Sequence, residues 1–330
     1  MKVRQNIDQA VWNEFVKESP YRTPFQTKHF FDLINSIDGY EAKVFAAEEN
    51  GIEALCVVTF QKEKGIKGFF SRRAIIYGGP ILTQNKQAVT LLLKEISAIY
   101  RNAIYIETRN FNDYKDYSKE FKEAGWQFEP YQNFHLNCSS EDVVWNNFNS
   151  NRQRQIKKAL KTGVKTEEAK TAEDVKQFYN ILEDLYNSKV KKPLFPIEFF
   201  ENLVKSEVGK ILLVKFEEKI IGGIACPIMP GKTIYELYIC GLDQEYKDCY
   251  PSVMATYAAI EYGFKNNISR FDFMGAGKAG EDYGVRDFKG KFGGELVEHG
   301  RFIKVNNKFF YGLGKLAIGI LSGRKSKAKK

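Results

Sequence analysis

Apolar residues recur at three-to-four spacing in Val11-Trp-Asn-Glu-Phe-Val16 and again in Phe25-Gln-Thr-Lys-His-Phe-Phe-Asp-Leu-Ile34, which predicts two short helices at the start of the chain. The pattern then turns into dense apolar and β-branched runs. Residues 42–47, 52–61 and 74–82 read as strands, separated by the turn formers Glu49-Asn-Gly51, Lys64-Gly65 and Gly78-Gly-Pro80. A helix at 87–100, a strand at 103–108, a helix at 117–124 and a strand at 132–138 complete the first half. An amphipathic helix at 144–161 follows, with Trp145, Phe148, Ile156 and Leu160 on one face and Arg154, Lys157, Lys158 and Lys161 on another. Its apolar face is expected to pack at a junction between two domains. The second half repeats the earlier order: a helix at 172–188, strands at 210–216, 220–229 and 233–240, a helix at 251–265 and a strand at 270–274.

The repetition extends to residue identities. Lys119-Glu-Phe-Lys-Glu-Ala-Gly-Trp126 runs in step with Arg286-Asp-Phe-Lys-Gly-Lys-Phe-Gly293, and Glu48-Glu-Asn-Gly-Ile-Glu-Ala-Leu-Cys56 with Glu217-Glu-Lys-Ile-Ile-Gly-Gly-Ile-Ala225. Both pairs are separated by about 170 residues, far more than a solenoid repeat, so each copy is expected to be a domain. The boundaries read as 1–150 for the first domain, 151–165 for a basic junction helix and linker, 166–306 for the second domain and 307–330 for an apolar segment with a polybasic tail.

Composition suits two folded domains: 330 residues, 43% hydrophobic and 28% charged. The chain begins without the apolar core of a signal peptide and has no apolar run long enough to cross a bilayer, which predicts a cytoplasmic protein. Cys56, Cys138, Cys226, Cys240 and Cys249 are odd in number and form no Cys-x-x-Cys pair, so buried thiols are expected, with no disulfide framework and no metal site. His29, His135 and His299 show neither triad nor metal spacing and receive no role. The net charge of +9 favours anionic partners without naming one, since phosphates, RNA and membrane lipid all qualify. It is densest in Arg152-Gln-Arg-Gln-Ile-Lys-Lys-Ala-Leu-Lys161 and in Gly323-Arg-Lys-Ser-Lys-Ala-Lys-Lys330.

Two loops bear on cofactors. Gly275-Ala-Gly-Lys-Ala-Gly280 matches Gly-x-Gly-x-x-Gly, but Glu281-Asp-Tyr-Gly-Val-Arg286 follows where a dinucleotide fold packs an apolar helix. A loop that lets backbone approach a substrate is the better reading, with Lys278 reaching an anionic group. The pyrophosphate of CoA needs free N–H groups at a helix N-terminus. The corresponding loop, 241–252, offers one glycine, the carboxylates of Asp243, Glu245 and Asp248, and Pro251, which has no N–H. No cofactor is therefore expected.

Several of these pieces together resemble one family. They are Gly78-Gly-Pro-Ile81, Arg154-Gln-Ile-Lys-Lys-Ala-Leu-Lys-Thr-Gly163, Tyr250-Pro-Ser-Val-Met254 with Ala258-Ala-Ile-Glu-Tyr-Gly263, Phe271-Asp-Phe-Met-Gly275 and Asp287-Phe-Lys-Gly-Lys-Phe-Gly293. The chain is similar along nearly its whole length to the Fem family of peptidoglycan interpeptide-bridge aminoacyltransferases, and the Phe-Lys-x-x-Phe-Gly element is the most specific part. The resemblance implies an α+β fold of two tandem N-acyltransferase (GNAT-like) domains with mixed, largely antiparallel sheets flanked by helices. It implies transfer of an amino acid from aminoacyl-tRNA to a stem-peptide amine of a lipid-linked or UDP-linked cell-wall precursor. Lys289 falls on the family's lysine and would stabilise charge during transfer; spacing alone equally allows a surface lysine beside Asp287. Asp272 would orient or deprotonate the incoming ammonium, although alternation with Phe271 and Phe273 equally allows it simply to face outward. Tyr283 is a further catalytic candidate. Lys189, Lys28, Lys278, Arg286, Arg154 and Lys158 are candidates for binding substrate phosphates.

The chain lacks the long helical-hairpin arm that some members carry, which leaves the donor open. An acyl-CoA-dependent N-acetyltransferase with a remodelled donor site and a non-catalytic membrane- or precursor-binding protein stay as alternatives, and a monomer is compatible with all three. Phe309-Phe-Tyr-Gly-Leu-Gly-Lys-Leu-Ala-Ile-Gly-Ile-Leu321 with the basic tail reads as an interfacial anchor on an anionic inner leaflet. That would place the protein in the cytoplasm at the inner face of the plasma membrane.

Overall fold

The computed structural model describes residues 1–61, 72–191, 193–281 and 283–315. The predicted turn at Lys64-Gly65, Asp282 of the glycine-loop motif and the tail from 316 onward lie outside the described residues. The chain forms two compact units, one of Met1–Glu129 with Gly300–Lys330 and one of Pro130–His299. The boundaries thus fall at 129/130 and 299/300, rather than at 150 and 306.

The first unit opens with β1 (Lys2–Arg4), α1 (Gln9–Glu18) and α2 (Lys28–Asn35). Both helices start where a side chain takes up orphan backbone donors: Asp8 accepts from Ala10 and Val11, and Thr27 from Phe30. Next come β2 (Tyr40–Glu48), β3 (Ile52–Gln61), β4 (Arg73–Gly78), β5 (Ile81–Leu82), α3 (Lys86–Ile99), β6 (Tyr105–Asn110), α4 (Ser118–Glu123) and β7 (Gln127–Glu129). The second unit contains β8 (Asn133–Asn137), α5 (Glu141–Asn147), α6 (Ser150–Thr162), β9 (Lys165–Glu168), α7 (Ala172–Leu185), α8 (Ile197–Lys205), β10 (Gly209–Phe216) and β11 (Lys219–Met229). It continues through β12 (Thr233–Tyr235), β13 (Tyr238–Gly241), α9 (Pro251–Lys265), β14 (Arg270–Asp272), α10 (Gly284–Gly290) and β15 (Glu295–Val297). The chain then re-enters the first unit as β16 (Arg301–Val305), and residues 308–315 are helical.

The two sheets match strand for strand. One has the order β1-β2-β3-β4-β6-β16-β7 with β5 on β3; the other runs β9-β10-β11-β12-β14-β8-β15 with β13 on β11. In each, the pair at the centre is parallel (β4 with β6, β12 with β14) and the pairings around it are antiparallel. The duplication legible in the sequence is therefore a duplication of topology, closed by an exchange. β16, late in the chain, fills the slot between β6 and β7, while β8, which follows β7 directly, fills the slot between β14 and β15. This accounts for the displaced boundary: the strand expected to finish the first domain is built into the second sheet.

Two local expectations are corrected. The helix expected at 144–161 is two helices, because Asn149 accepts from the Arg152 N–H and starts a new one. Of its apolar residues, Val144, Phe148, Ile156 and Ala159 lie in the core of the second unit, and Leu160 is exposed. The strand expected at 233–240 breaks at Glu236-Leu237, where the chain leaves β14 and continues along β11 as β13. In the cores, α3 lays Ala88, Val89, Leu92, Leu93 and Ile96 against one sheet, and α9 buries nearly all of its first three turns, including Met254, Ala255, Ala258 and Ala259, against the other. All five cysteines are buried and unpaired. Among the described residues no group of His, Cys, Asp and Glu is placed to hold a metal, and no helix is long and apolar enough to cross a membrane.

Candidate active site

The parallel pair β12 and β14 ends in register, Tyr235 opposite Asp272, and the last rung is the Glu236 N–H donating to the Asp272 carbonyl at 3.0 Å. Beyond it the two chains part, β12 toward β13 and β14 into the loop 273–281. Diverging parallel strands leave polar groups without ladder partners, and such ends are where α/β sheets place ligands. In this protein the opening is lined by two pairs of ionisable side chains.

The first pair is Lys289 with Glu236. Lys289 is only 7% exposed. Its Nζ lies 2.9 Å from Glu236 Oε1 and donates to the carbonyls of Phe273 and Gly275, the latter at 3.0 Å, which uses all three N–H groups. Glu236 Oε2 accepts from Thr256 Oγ1 of α9. Burial pushes the Glu236 carboxyl above its ordinary range, with the Lys289 ammonium pulling the other way. Lys289 is thus no solvated lysine beside Asp287; it is a buried cation held at the mouth of the glycine loop.

The flanking aromatics explain the spacing of Phe288-Lys-Gly-Lys-Phe292. Both rings clamp the guanidinium of Arg152, 4.7 Å from the Phe288 centroid and 4.1 Å from that of Phe292, and Arg152 donates to Phe288 O and Gln155 Oε1, each at 2.8 Å. Burial draws Arg152 down to about 10. This residue, the first of the basic run 152–161, is 2% exposed and fixes α10 to α6. Arg286 sits one turn before Lys289 and donates to the carbonyls of Ala276 and Glu281 at 2.9 Å and to that of Lys278. Two cations on one helix therefore hold five carbonyls of one loop. Tyr283 supports the same loop, since a Cβ on Gly277 would meet its ring at 2.8 Å.

The second pair is Asp272 with His135. Asp272 is fully buried, so it does not face solvent as alternation allowed. Its Oδ1 accepts from Asn133 Nδ2 and from the Met274 N–H, each at 2.7 Å, and its Oδ2 lies 3.0 Å from His135 Nε2. Burial pushes this carboxyl up, but His135, Arg270 and Asn133 together hold it below its ordinary value. A carboxylate so stabilised is a weak base. Asn133 ties the pairs together: its Oδ1 accepts from Phe134 N and Gly275 N at 2.9 and 2.7 Å, while the Gly275 carbonyl accepts from Lys289. A continuous polar path runs from Glu236 through Lys289, Gly275 and Asn133 to Asp272, whose Oδ2 faces His135.

A pH dependence follows from Asp272. Its folded-state pKa is depressed, so its contribution is present above the unfolded-state value, near 3.9, and lost as pH falls through the folded-state value. The stability gap between wild type and Asp272→Asn is expected to be widest above about pH 4 and to narrow below it. Denaturant melts at a series of pH values would show this, and a gap of constant size down to about pH 2 would contradict it.

Residues 225–318 match the model of the FemAB family, a span that contains Glu236, Asp272, the glycine loop and Lys289. Over that span the chain is similar to the FemAB family. A crystal structure of FemX superposes with a TM-score of 0.72 at 18% identity, covering 95% of this chain and 99% of that one. L-PGS from Bacillus licheniformis gives 0.57 at 13% identity over 91% and 92% of the two chains. A tandem GNAT protein from the clavulanic acid biosynthesis pathway gives 0.55 at 7% identity over 90% and 94%. These likenesses show the fold, a tandem GNAT-like α+β architecture. No curated protein sequence matches this one.

On this FemX-like fold the remaining candidates are placed as follows. Arg154 donates to Asn151 on its own helix and Lys158 pairs with Asp248 at 2.7 Å, both exposed on the second unit and engaged locally rather than at Lys289. Lys189 is exposed in the π-helical turn 186–190, and Lys278 lies 5.2 Å from the ring centroid of Tyr131. Lys28 belongs to the first unit and pairs with Asp32 one turn along α2. At the N-terminus of α9, Pro251 supplies no N–H, and the Ser252 N–H and hydroxyl both donate to Asp243. The place where a GNAT-like helix would meet a pyrophosphate is filled by the protein's own carboxylate.

Proposed function

We propose that this protein is an acyltransferase that moves an aminoacyl group from aminoacyl-tRNA to an amine on the stem peptide of a peptidoglycan precursor. The observation that carries the reading is Lys289: the lysine of the Phe-Lys-x-x-Phe-Gly element, inside the span matching the FemAB family, buried and held against Glu236 at the strand opening. Attack of an amine on an ester carbonyl builds negative charge on oxygen, and a preorganised cation out of water stabilises that charge best. Lys289 offers the N–H now bonded to the Gly275 carbonyl. The Asp243 cap on α9 favours a donor other than CoA.

The exposed Lys189, Arg154 and Lys158 and the half-buried Lys278 and Lys28 are the groups proposed to meet phosphates of either substrate. The likeness to L-PGS puts a phospholipid acceptor beside the stem peptide as the second choice. Exposed Phe309 and Leu313, one turn apart in 308–315, agree with contact at an anionic membrane surface.

The deciding experiment incubates purified protein with a pool of charged tRNAs and, separately, a precursor with a free stem-peptide amine and vesicles containing phosphatidylglycerol. Aminoacylated precursor is the expected product. Labelled lipid would move the acceptor to the membrane, and acetylation of amines from acetyl-CoA with no use of charged tRNA would overturn the reading.

A further inference from the structure

The row of residues crossing the second sheet at the strand opening is Tyr235, Asp272, His135 and Glu295, each in register with the next on β12, β14, β8 and β15. The same row in the first sheet reads Tyr77, Arg109, Arg301 and Glu129 on β4, β6, β16 and β7. There the two guanidiniums are bridged by Glu107 at 2.8 and 2.9 Å, an assembly whose charges stay fixed around neutral pH. The duplicated fold thus accepts permanently charged groups at this row. Only the second copy places an imidazole there.

We propose that His135 is the proton acceptor of the second unit's site and that Asp272 is its positioning residue, a proposal that rests on the acyl-transfer reading above. Asp272 faces Nε2 at 3.0 Å, which puts the ring proton on Nε2 and leaves the lone pair on Nδ1. Asp272 itself is sealed, whereas 10% of the His135 side chain reaches the surface, so protons enter and leave the pair through the ring. Asn133 and the Met274 N–H hold the carboxylate in place, and Asn133 also fixes the Gly275 peptide that carries Lys289. The proton acceptor and the cation are thereby both tied to one short stretch of chain, residues 272–275.

The step balances as follows. A neutral amine attacks the acyl carbonyl carbon, the C–N bond forms and the ester C–O bond breaks. The proton lost from nitrogen goes to His135 Nδ1, and the imidazolium returns it to the departing oxygen, so one N–H is exchanged for one O–H. The titratable and charged groups around the ring are Asp272 and Arg270 on β14, Tyr235 on β12, Glu295 on β15 and His299 in the loop after β15, whose ring centroid is 5.2 Å away.

The test is the kinetics of aminoacyl transfer against pH for wild type, His135→Gln and Asp272→Asn. His135→Gln is expected to lower kcat on the order of 10²- to 10³-fold and to erase the acidic limb of the kcat/KM profile, with KM little changed. Asp272→Asn is expected to keep that limb but displace it, at about a tenfold cost in kcat. Carbethoxylation of wild type gives an independent answer should His135→Gln misfold: activity should fall in step with modification of His135, mapped by mass spectrometry. Unchanged kcat and acidic limb in His135→Gln, or full activity with His135 modified, would overturn the proposal while leaving acyl transfer intact. A wild type that transfers no aminoacyl group would remove the underlying reading, and the proposal with it.

Discussion

Replacing Lys289 by methionine is expected to destabilise the fold by about 3–5 kcal/mol and to abolish transfer, the first because Glu236 is left buried without its cation. The carbonyls of Phe273 and Gly275 lose their donor as well, so the glycine loop should open even where the core survives. Stability alone would leave the role of Lys289 ambiguous. Lys289→Met combined with Glu236→Leu removes both charges and is expected to recover most of the lost stability, since apolar replacements of buried ion pairs are often neutral or better. Denaturant unfolding and transfer rates measured on the same three proteins separate the roles. Recovered stability with no recovered transfer identifies a cation that acts on the reaction, whereas recovery of both would reduce Lys289 to a structural clamp.

Gly293→Ala should be nearly as damaging, through geometry rather than charge. The residue has φ +76, and a Cβ there would lie 2.2 Å from the Asn147 carbonyl oxygen and 2.9 Å from its carbon. Both obstacles are backbone, at the C-terminal end of α5, and cannot swing aside. Left-handed strain of about 1–2 kcal/mol and overpacking of about 1–3 kcal/mol add to an expected loss of roughly 3–4 kcal/mol. Gly284→Ala is the control: it begins α10, and a Cβ added there would have nothing within 4 Å, so a melting temperature equal to wild type or slightly higher is expected. Equal losses at the two positions would show that the close approach of Asn147 is not what demands glycine in the Phe-Lys-x-x-Phe-Gly element.

Elements whose signals are local were legible in the sequence. The helix expected at 251–265 is α9 residue for residue, because Pro251 fits only at a helix start and the apolar run behind it is long. The strand expected at 52–61 is β3. The break at Asn149 was hidden because the apolar period passes through it without a stop, and a capping side chain outweighed the period. The candidate site was half visible. Lys289 stands out through a short motif, but its partner Glu236 comes from a strand end more than fifty residues earlier. His135 and Asp272 meet only because β8 is exchanged into the second sheet, and no spacing in one half of the chain announces a partner in the other. Arg152 was hidden for a related reason: nothing in a run of basic residues marks the member that two phenylalanines far along the chain enclose.

The exchanged strand also orders events during synthesis. With β16 made only after the second unit, the first sheet has an empty slot between β6 and β7 while the whole of Pro130–His299 is being made. The second unit has all of its strands once β15 has left the ribosome, so the part made later can finish first, the reverse of the usual sequence for a multidomain chain. Until Arg301–Val305 emerges, β6 and β7 present unpaired backbone, and the arrival of that strand is what closes the edge.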